Sequence, residues 1–201
     1  MNYTGPKVRL SRKLGIRLTP KASKVLDKKS YPPGAHGNKK GRRGKQSDYG
    51  KQLLEKQKLR LQYHISEKQM SNYYDKAAKM TGNTGELYVQ LLETRLDALV
   101  HRAGFARSMY AARQYVQHGH ILVNGRKLDI PSYQVKVGDV ISLKEKSRKI
   151  EVFQEAIRNS AAPSYLEVAK TDFSAKLAYV PTRDEVPVIC EVSLVVEYYS
   201  R

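Results

Sequence analysis

Asn124-Gly125 constrains this chain more than any other pair of its residues. It stands between Ile121-Leu122-Val123 and Arg126-Lys127-Leu128. A two-residue Asn-Gly turn needs positive φ at both positions, which these residue types tolerate, so the flanks are committed to an antiparallel hairpin. Reading backwards, Gly119 is the natural stop of a helix that Ser108 caps. Ala111, Ala112, Tyr115 and Val116 face inward on it, and Arg113, Gln114 and Gln117 face outward. Gly104 ends an earlier helix, opened by the cap Thr94-Arg95-Leu96-Asp97 and buried through Leu96, Leu99 and Val100. Reading forwards, Val135-Lys136-Val137, Gly138-Asp139 and Val140-Ile141-Ser142-Leu143 predict a strand, a turn and a further strand. Residues 94–145 thus read as helix, turn, helix, then a short antiparallel sheet.

The two histidines flanking Gly119 mark the passage from helix to strand. His118 falls in a last helical turn, where partial positive charge suits the helix dipole, and His120 begins the strand. A metal centre needs further ligands at fixed spacing, and no cysteine or Glu-x-x-His pair lies nearby. No metal and no cofactor are expected. Cys190, the only cysteine, rules out a disulfide framework and any zinc site built on several thiolates; its apolar context reads as core.

Charge points to the partner. Lys and Arg number 37 against 19 acids, a net charge of +18. Residues 1–50 hold 14 of these cations and only Asp27 and Asp48 as acids, so +12 of the excess lies in the first quarter of the chain. Such an excess implies a polyanion, either nucleic acid or an acidic membrane surface. The longest apolar runs fall far short of the roughly 20 residues of a membrane span, so no membrane is expected. MNYTGPKVRLSRKLG lacks the apolar block of a secretory signal, and its Gly and Pro argue against an amphipathic transit helix. Nucleic acid remains. Residues 1–46 read as an extended basic arm. Thr19-Pro20 can open a short helix, but SYPPGAHGNKKGRRGK is Gly, Pro and charge, loose when free and ordered where phosphates neutralise it. Tyr3, Tyr31, His36 and Tyr49 interleave with the cations, and flat rings beside guanidinium groups suit exposed bases as well as phosphates.

Residues 47–93 change texture to a small helical bundle. Ser47 or Asp48 caps a helix through YGKQLLEKQKLRLQY, with Tyr49, Leu53 and Leu54 on one side and Lys51, Lys56, Lys58 and Arg60 mostly on another. Ser66-Glu67-Lys68-Gln69 has the form of a capping box and precedes a stripe of Met70, Tyr73, Tyr74, Ala77 and Ala78. Asn83-Thr84-Gly85-Glu86 caps the next helix, which carries Leu87, Leu91 and Leu92. Further on, Ile150, Phe153 and Ile157 mark an amphipathic helix that ends before Pro163. Residues 165–168 and the alternation Phe173, Ala175, Leu177, Tyr179 read as strands, while ICEVSLVVEYY is open between strand and helix. The fold class is α+β: a basic arm, a helical bundle, and an α+β domain over residues 94–187 that contains the module of two helices plus antiparallel sheet.

RLDALVHRAGFARSMYAARQYVQHGHILVNGRKLDIPSYQVKVGDVI resembles the RNA-binding module named after small-subunit ribosomal protein four. Similar modules occur in some pseudouridine synthases, a tyrosyl-tRNA synthetase and a heat-shock RNA-binding protein. YTGPKVRLSR, PPGAHG, SDYGKQLLEKQK, NYY, GNTGE and VEYYSR are similar, in the same order, to segments of that ribosomal protein family, and the match runs from Tyr3 to Arg201. The resemblance implies a structural, non-enzymatic, primary rRNA-binding protein that nucleates small-subunit assembly on the 5′ domain of small-subunit rRNA. It implies a place beside small-subunit protein five and the mRNA entry path, a contribution to translational accuracy and, in some members, repression of the protein's own mRNA. It implies a ribosome-bound protein of the cytoplasm or an organelle, not a homo-oligomer, whose segment 188–201 returns as a helix to the first bundle. Many members bind zinc through cysteines in the arm. No cysteine lies in residues 1–50 here, so this member is expected to lack the metal, its arm ordered by RNA and by packing around Tyr31-Pro32-Pro33-Gly34.

The residues expected to meet RNA are, in the arm, Lys7, Arg9, Arg12, Lys13, Arg17, Tyr31, His36, Arg42, Arg43 and Lys45. In the bundle they are Tyr49, Lys56, Lys58 and Arg60; in the module, Arg95, Arg102, Arg107, Ser108, Arg113, Gln114, His120, Asn124 and Arg126. The competing reading, an RNA-modifying enzyme with this module as one part, needs an acid, base or nucleophile elsewhere. Asp97 reads as a helix-start acid, GNTGE lacks the Lys of a phosphate loop, and arm and bundle leave little chain for a catalytic domain.

Overall fold

The computed structural model describes residues 3–37, 47–158 and 161–201. Two compact units divide the chain, Met1–Gly85 with Val188–Arg201, and Glu86–Pro187.

The first unit begins with α1 (Lys7–Leu14) and α2 (Pro20–Lys28). Thr19 caps α2 as expected, its hydroxyl accepting from the Ala22 N–H at 3.2 Å. Helix α1 was not legible from its apolar spacing, and it forms because Leu14, Ile16, Leu18 and Ala22 bury together around Ser11, whose hydroxyl accepts from the Leu18 N–H at 3.4 Å. Residues 7–28 are therefore a helix pair with its own small core, where a loose arm is expected. Helix α3 (Asp48–Gln62) is capped by Ser47, which accepts from the Gly50 N–H at 3.2 Å. Helix α4 (Glu67–Ala78) is capped by Ser66 and buries Met70 and Ala77. Tyr73 and Tyr74 are half-buried, and Ala78 is exposed.

The second unit opens within α5 (Thr84–Glu93), earlier than the break at residue 94 read from the sequence. The physical reason is the inward face of α5. It is Tyr88, Val89 and Leu92 that bury fully, and Leu87 and Leu91 only in part. Gln90 and Glu93 bond to Pro181 and Tyr165 of the same unit. Helices α6 (Leu96–Arg102) and α7 (Met109–Gln117) pack together. Ser108 caps α7, accepting from the Ala111 N–H at 3.3 Å. Thr94 does not cap α6: its hydroxyl lies between the Gln90 carbonyl and the Gln134 side chain, each at 2.8 Å.

The hairpin follows as β1 (Ile121–Val123) and β2 (Arg126–Lys127), with Val123 opposite Arg126 and φ of 49° and 76° at Asn124 and Gly125. Residues 135–137 do not form the expected strand. The chain there is held by a single bridge from Gln134 to Arg95 and by the Val135 N–H on the Thr94 carbonyl, so it follows the start of α6 and leaves the sheet. Strand β3 (Val140–Leu143) pairs with β1 instead. Helices α8 (Glu145–Arg148) and α9 (Glu151–Arg158) come next, the latter burying Phe153, Ala156 and Ile157 while Ile150 stays exposed. Strands β4 (Leu166–Ala169) and β5 (Ser174–Leu177) complete an antiparallel sheet in the order β2-β1-β3-β5-β4. One apolar cluster joins Leu99, Phe105, Val116, Ile121, Leu143, Phe153 and Leu177.

The closing segment belongs to the first unit and is helical, α10 (Val192–Tyr199), packed on α3. Gln52 donates to Glu197 at 2.9 Å, Gln62 to the Ile189 carbonyl at 3.0 Å, and the half-buried Cys190 thiol to the Glu55 carbonyl at 3.6 Å. This docking turns α3, so Gln52, Lys56, Leu59 and Leu61 are its buried residues and Tyr49 is half exposed.

Candidate nucleic-acid interface

The basic residues of the second unit sort into two sets. Arg95 is fully buried and grips the equally buried Asp97 with Nε at 2.9 Å and Nη2 at 2.6 Å. Arg113 adds a second guanidinium 3.5 Å from the same carboxylate. Burial pushes the Asp97 carboxyl upward, and the two guanidinium groups pull against that shift. Arg102 holds the buried Glu93 through Nε at 2.6 Å and Nη2 at 3.3 Å, while the Tyr165 hydroxyl donates to Glu93 at 2.6 Å. Burial, with that carboxylate beside it, drives the Tyr165 phenol up. Arg95, Arg102 and Arg113 were all expected at RNA. Arg95 is buried away from solvent, and Arg102 and Arg113 reach the buried Glu93 and Asp97.

Asn124 is likewise drawn into structure: its amide donates to Asp139 at 2.8 Å and its carbonyl accepts from the Val140 N–H at 2.9 Å. His120 is half-buried, with Nδ1 2.9 Å from the Ser147 hydroxyl and its ring centroid 5.5 Å from that of Phe153. Burial lowers its pKa, and His118 and Lys144 lower it further. Ser108 serves as the α7 cap. Arg107 is exposed and pairs with Glu155. Exposed beside these are Gln114, His118, Arg126, Lys127 and Lys144. Lys144 lies outside the set expected from the sequence. Lys127 lies over Gly119 at the end of α7, and the Lys144 N–H bonds to the His120 carbonyl, so hairpin and β3 bring both to His118-Gly119-His120.

In the first unit Arg9, Lys13, Arg17 and His36 are exposed, and Lys7 is half-buried with its amine on the Thr4 carbonyl at 2.9 Å. Arg17 pairs with Asp27 at 2.9 Å in open solvent, a contact of little energy. Arg12 and Tyr31 meet each other: the guanidinium lies 4.8 Å from the ring centroid and donates to the carbonyls of Tyr31 and Pro32. Arg42, Arg43 and Lys45 lie outside the described residues. Lys21, Lys24 and Lys28 are exposed along α2 and were missed, although their spacing from the Thr19-Pro20 start places them near one another.

On α3, Lys56 is buried, bonded to Glu67 at 2.7 Å with its amine 4.4 Å from the Tyr198 ring centroid. Lys58 meets Glu55 at 2.5 Å, and Arg60 donates to Gln57 at 2.9 Å with Glu67 3.8 Å away. Burial raises the Glu67 carboxyl, but hydrogen bonds from Lys56 and Tyr199 outweigh it and hold the group low. Lys56 is thus a structural cation, and Lys58 and Arg60 have local partners.

A cavity of about 350 Å³ between α1 and α3 is lined by Tyr3, Leu10, Leu14, Leu53, Leu54 and Leu61, with Lys13, Gln57 and Arg60 among its polar residues. It contains neither a carboxylate nor a histidine for acid–base work. Among the described residues no three His, Cys, Asp or Glu are grouped to hold a metal ion, and no helix is long and apolar enough to cross a membrane.

Exposed cations stand on both units, and the two buried acids among the described residues, Glu93 and Asp97, hold guanidinium groups; the class such a chain suits is a nucleic-acid-binding protein. Residues 2–93 match the family model for the ribosomal protein S4/S9 N-terminal domain, and residues 94–141 match that of the S4 domain. The chain is 51% identical over 205 residues to small ribosomal subunit protein uS4 of Thermobifida fusca, covering all of both chains. It is 48% identical to the same protein of Geobacillus thermodenitrificans, over 99% of this chain and 98% of the relative. For Persephonella marina the identity is 46%, over 98% of each. The chain belongs to the uS4 family of small-subunit ribosomal proteins, a structural and non-enzymatic family.

Proposed function

We propose that this chain is a structural constituent of the small ribosomal subunit that binds its rRNA through the exposed cations of both units. The observation that carries the reading is how the charge is sorted. Asp97, Glu93 and Glu67 hold Arg95, Arg102 and Lys56 inside, whereas Arg9, Lys13, Lys21, Arg126 and Lys127 stand in solvent. Cations in solvent displace condensed counterions from a folded RNA, and recognition follows its shape through phosphate and 2′-hydroxyl contacts.

The finer reading rests on kinship with uS4. The protein joins the 5′ domain of small-subunit rRNA before other proteins, nucleates assembly there, lies beside small-subunit protein five and the mRNA entry path, and contributes to accuracy. Its location is then the cytoplasm of a bacterial cell, bound to ribosomes, and its own mRNA is a second target. Footprinting the purified protein on naked small-subunit RNA tests this. Protection confined to the 5′ domain without any other protein is the expected result, and protection elsewhere or none would overturn it.

A further inference from the structure

Tyr49 is the only tyrosine of the first turn of α3, and its side chain is half in solvent. Its ring centroid lies 5.9 Å from that of Tyr198 at an interplanar angle of 33°, and the Arg201 guanidinium lies 5.9 Å from the Tyr49 ring. Tyr198 is itself fixed. The buried Lys56 amine sits 4.4 Å from its ring centroid, and Tyr199 meets it edge-on at 5.4 Å. Tyr199 in turn stacks on Tyr74 of α4 at 5.1 Å and donates to Glu67 at 2.8 Å. The aromatic column therefore draws on α3, α4 and α10, and it ends at one exposed ring.

The surroundings of that ring are suited to an anionic, flat partner. Asp48, the preceding residue, is bonded by Lys51 at 2.9 Å, which holds it below the usual carboxylate range and reduces its repulsion of a phosphate. Arg201 and Lys51 are exposed. A half-exposed aromatic ring flanked by cations costs little to order on binding, because the rest of the column already holds its neighbour in place.

We infer that the half-exposed ring of Tyr49 is a stacking platform for one unpaired base of the bound RNA, with Arg201, which lies over the ring, placed to meet the adjoining phosphate. The inference rests on the RNA-binding reading above and adds a base contact to its phosphate contacts. Base–aromatic stacking is sequence-tolerant and carries no net charge, so its removal lowers affinity without changing the number of counterions released.

The test compares the wild-type chain with Tyr49→Leu and Tyr49→Phe on small-subunit RNA, by salt-dependent binding and by chemical probing of unpaired bases. Thermal melting confirms that each variant is folded. Tyr49→Leu should weaken binding between about fivefold and a hundredfold at every salt concentration, with a parallel log–log line. One unpaired base protected by the wild type should regain reactivity, and Tyr49→Phe should retain both affinity and protection. Unchanged affinity and base reactivity in the Leu variant overturn the platform while leaving the RNA-binding reading intact. So does a loss that comes with a shallower salt slope, which marks a phosphate contact, or a ring that only a neighbouring protein covers in the assembled particle. Absence of RNA binding by the wild type overturns both.

Discussion

Buried arginine is the residue-scale feature with the largest energetic stake. Arg95 and Asp97 are both without solvent exposure, and Arg113 stands 3.5 Å from the shared carboxylate. Removing one member of such a group leaves an uncompensated charge in a low-dielectric site, whereas removing both members of a pair with apolar groups of similar size is far less costly. Asp97→Asn should therefore lose about 3–5 kcal/mol of stability, measured by urea unfolding. Arg95→Met combined with Asp97→Leu should recover part of that loss and not all of it, since Arg113 still loses the carboxylate 3.5 Å from its buried Nη1. RNA affinity of the folded double variant should match the wild type. A loss of affinity there, with the fold intact, would return Arg95 to the interface. Sequence alone could not separate Arg95 from Arg107: both precede helices, and only the tertiary packing shows that one points at an acid inside and the other at Glu155 outside.

Among the elements, the α7-to-β1 passage is where backbone conformation and charge placement meet. Gly119 has φ of +70°, and a Cβ there would collide with the Lys127 stem. Gly119→Ala should cost about 1–2 kcal/mol from the left-handed backbone, and little from the collision, because the exposed end of Lys127 can swing aside. Adding Lys127→Ala should therefore leave that cost nearly unchanged, which a double-mutant cycle by denaturant unfolding resolves. Full relief would show that φ at this position carries no strain. Local signals of this kind were legible beforehand. Ser47, Ser66 and Ser108 cap the helices expected of them, Asn124-Gly125 makes its hairpin, and Gly119 ends α7. What the sequence did not show depends on partners far along the chain. The buried side of α3 is set by α10, which arrives more than a hundred residues later, so Lys56 reads as surface in the sequence although it is buried. Residues 135–137 have strand-like composition, but the Val135 N–H goes to the Thr94 carbonyl before α6 and the Lys136 N–H to the Asp139 side chain. Helix α1 shows few apolar residues because its core comes mostly from Ile16, Leu18 and Ala22 beyond its own end.

At the scale of the molecule the question is how much of the +18 charge acts on a partner. Coulomb attraction between solvent-exposed cations and RNA phosphates is felt as counterion release, and each neutralised phosphate adds roughly 0.7–0.9 to the slope of log affinity against log salt. Cations already paired with buried carboxylates release nothing. The slope therefore counts the first set and ignores the second. Arg9→Ala and Lys13→Ala, both at exposed positions of α1, should each reduce the slope by roughly that amount. Arg102→Ala should lower the unfolding midpoint, because Glu93 loses its counter-charge, and leave the slope of the folded protein unchanged. A double variant of exposed cations identifies the RNA-facing side of the module. Arg113 is tied to Asp97, so its removal confounds stability with affinity, and Arg126 with Lys127 is the cleaner pair. A near-flat salt titration of the wild type on small-subunit RNA would mean that the exposed cations serve solvation alone. An unchanged slope in the Arg126→Ala, Lys127→Ala variant would move the contact of this unit to another face.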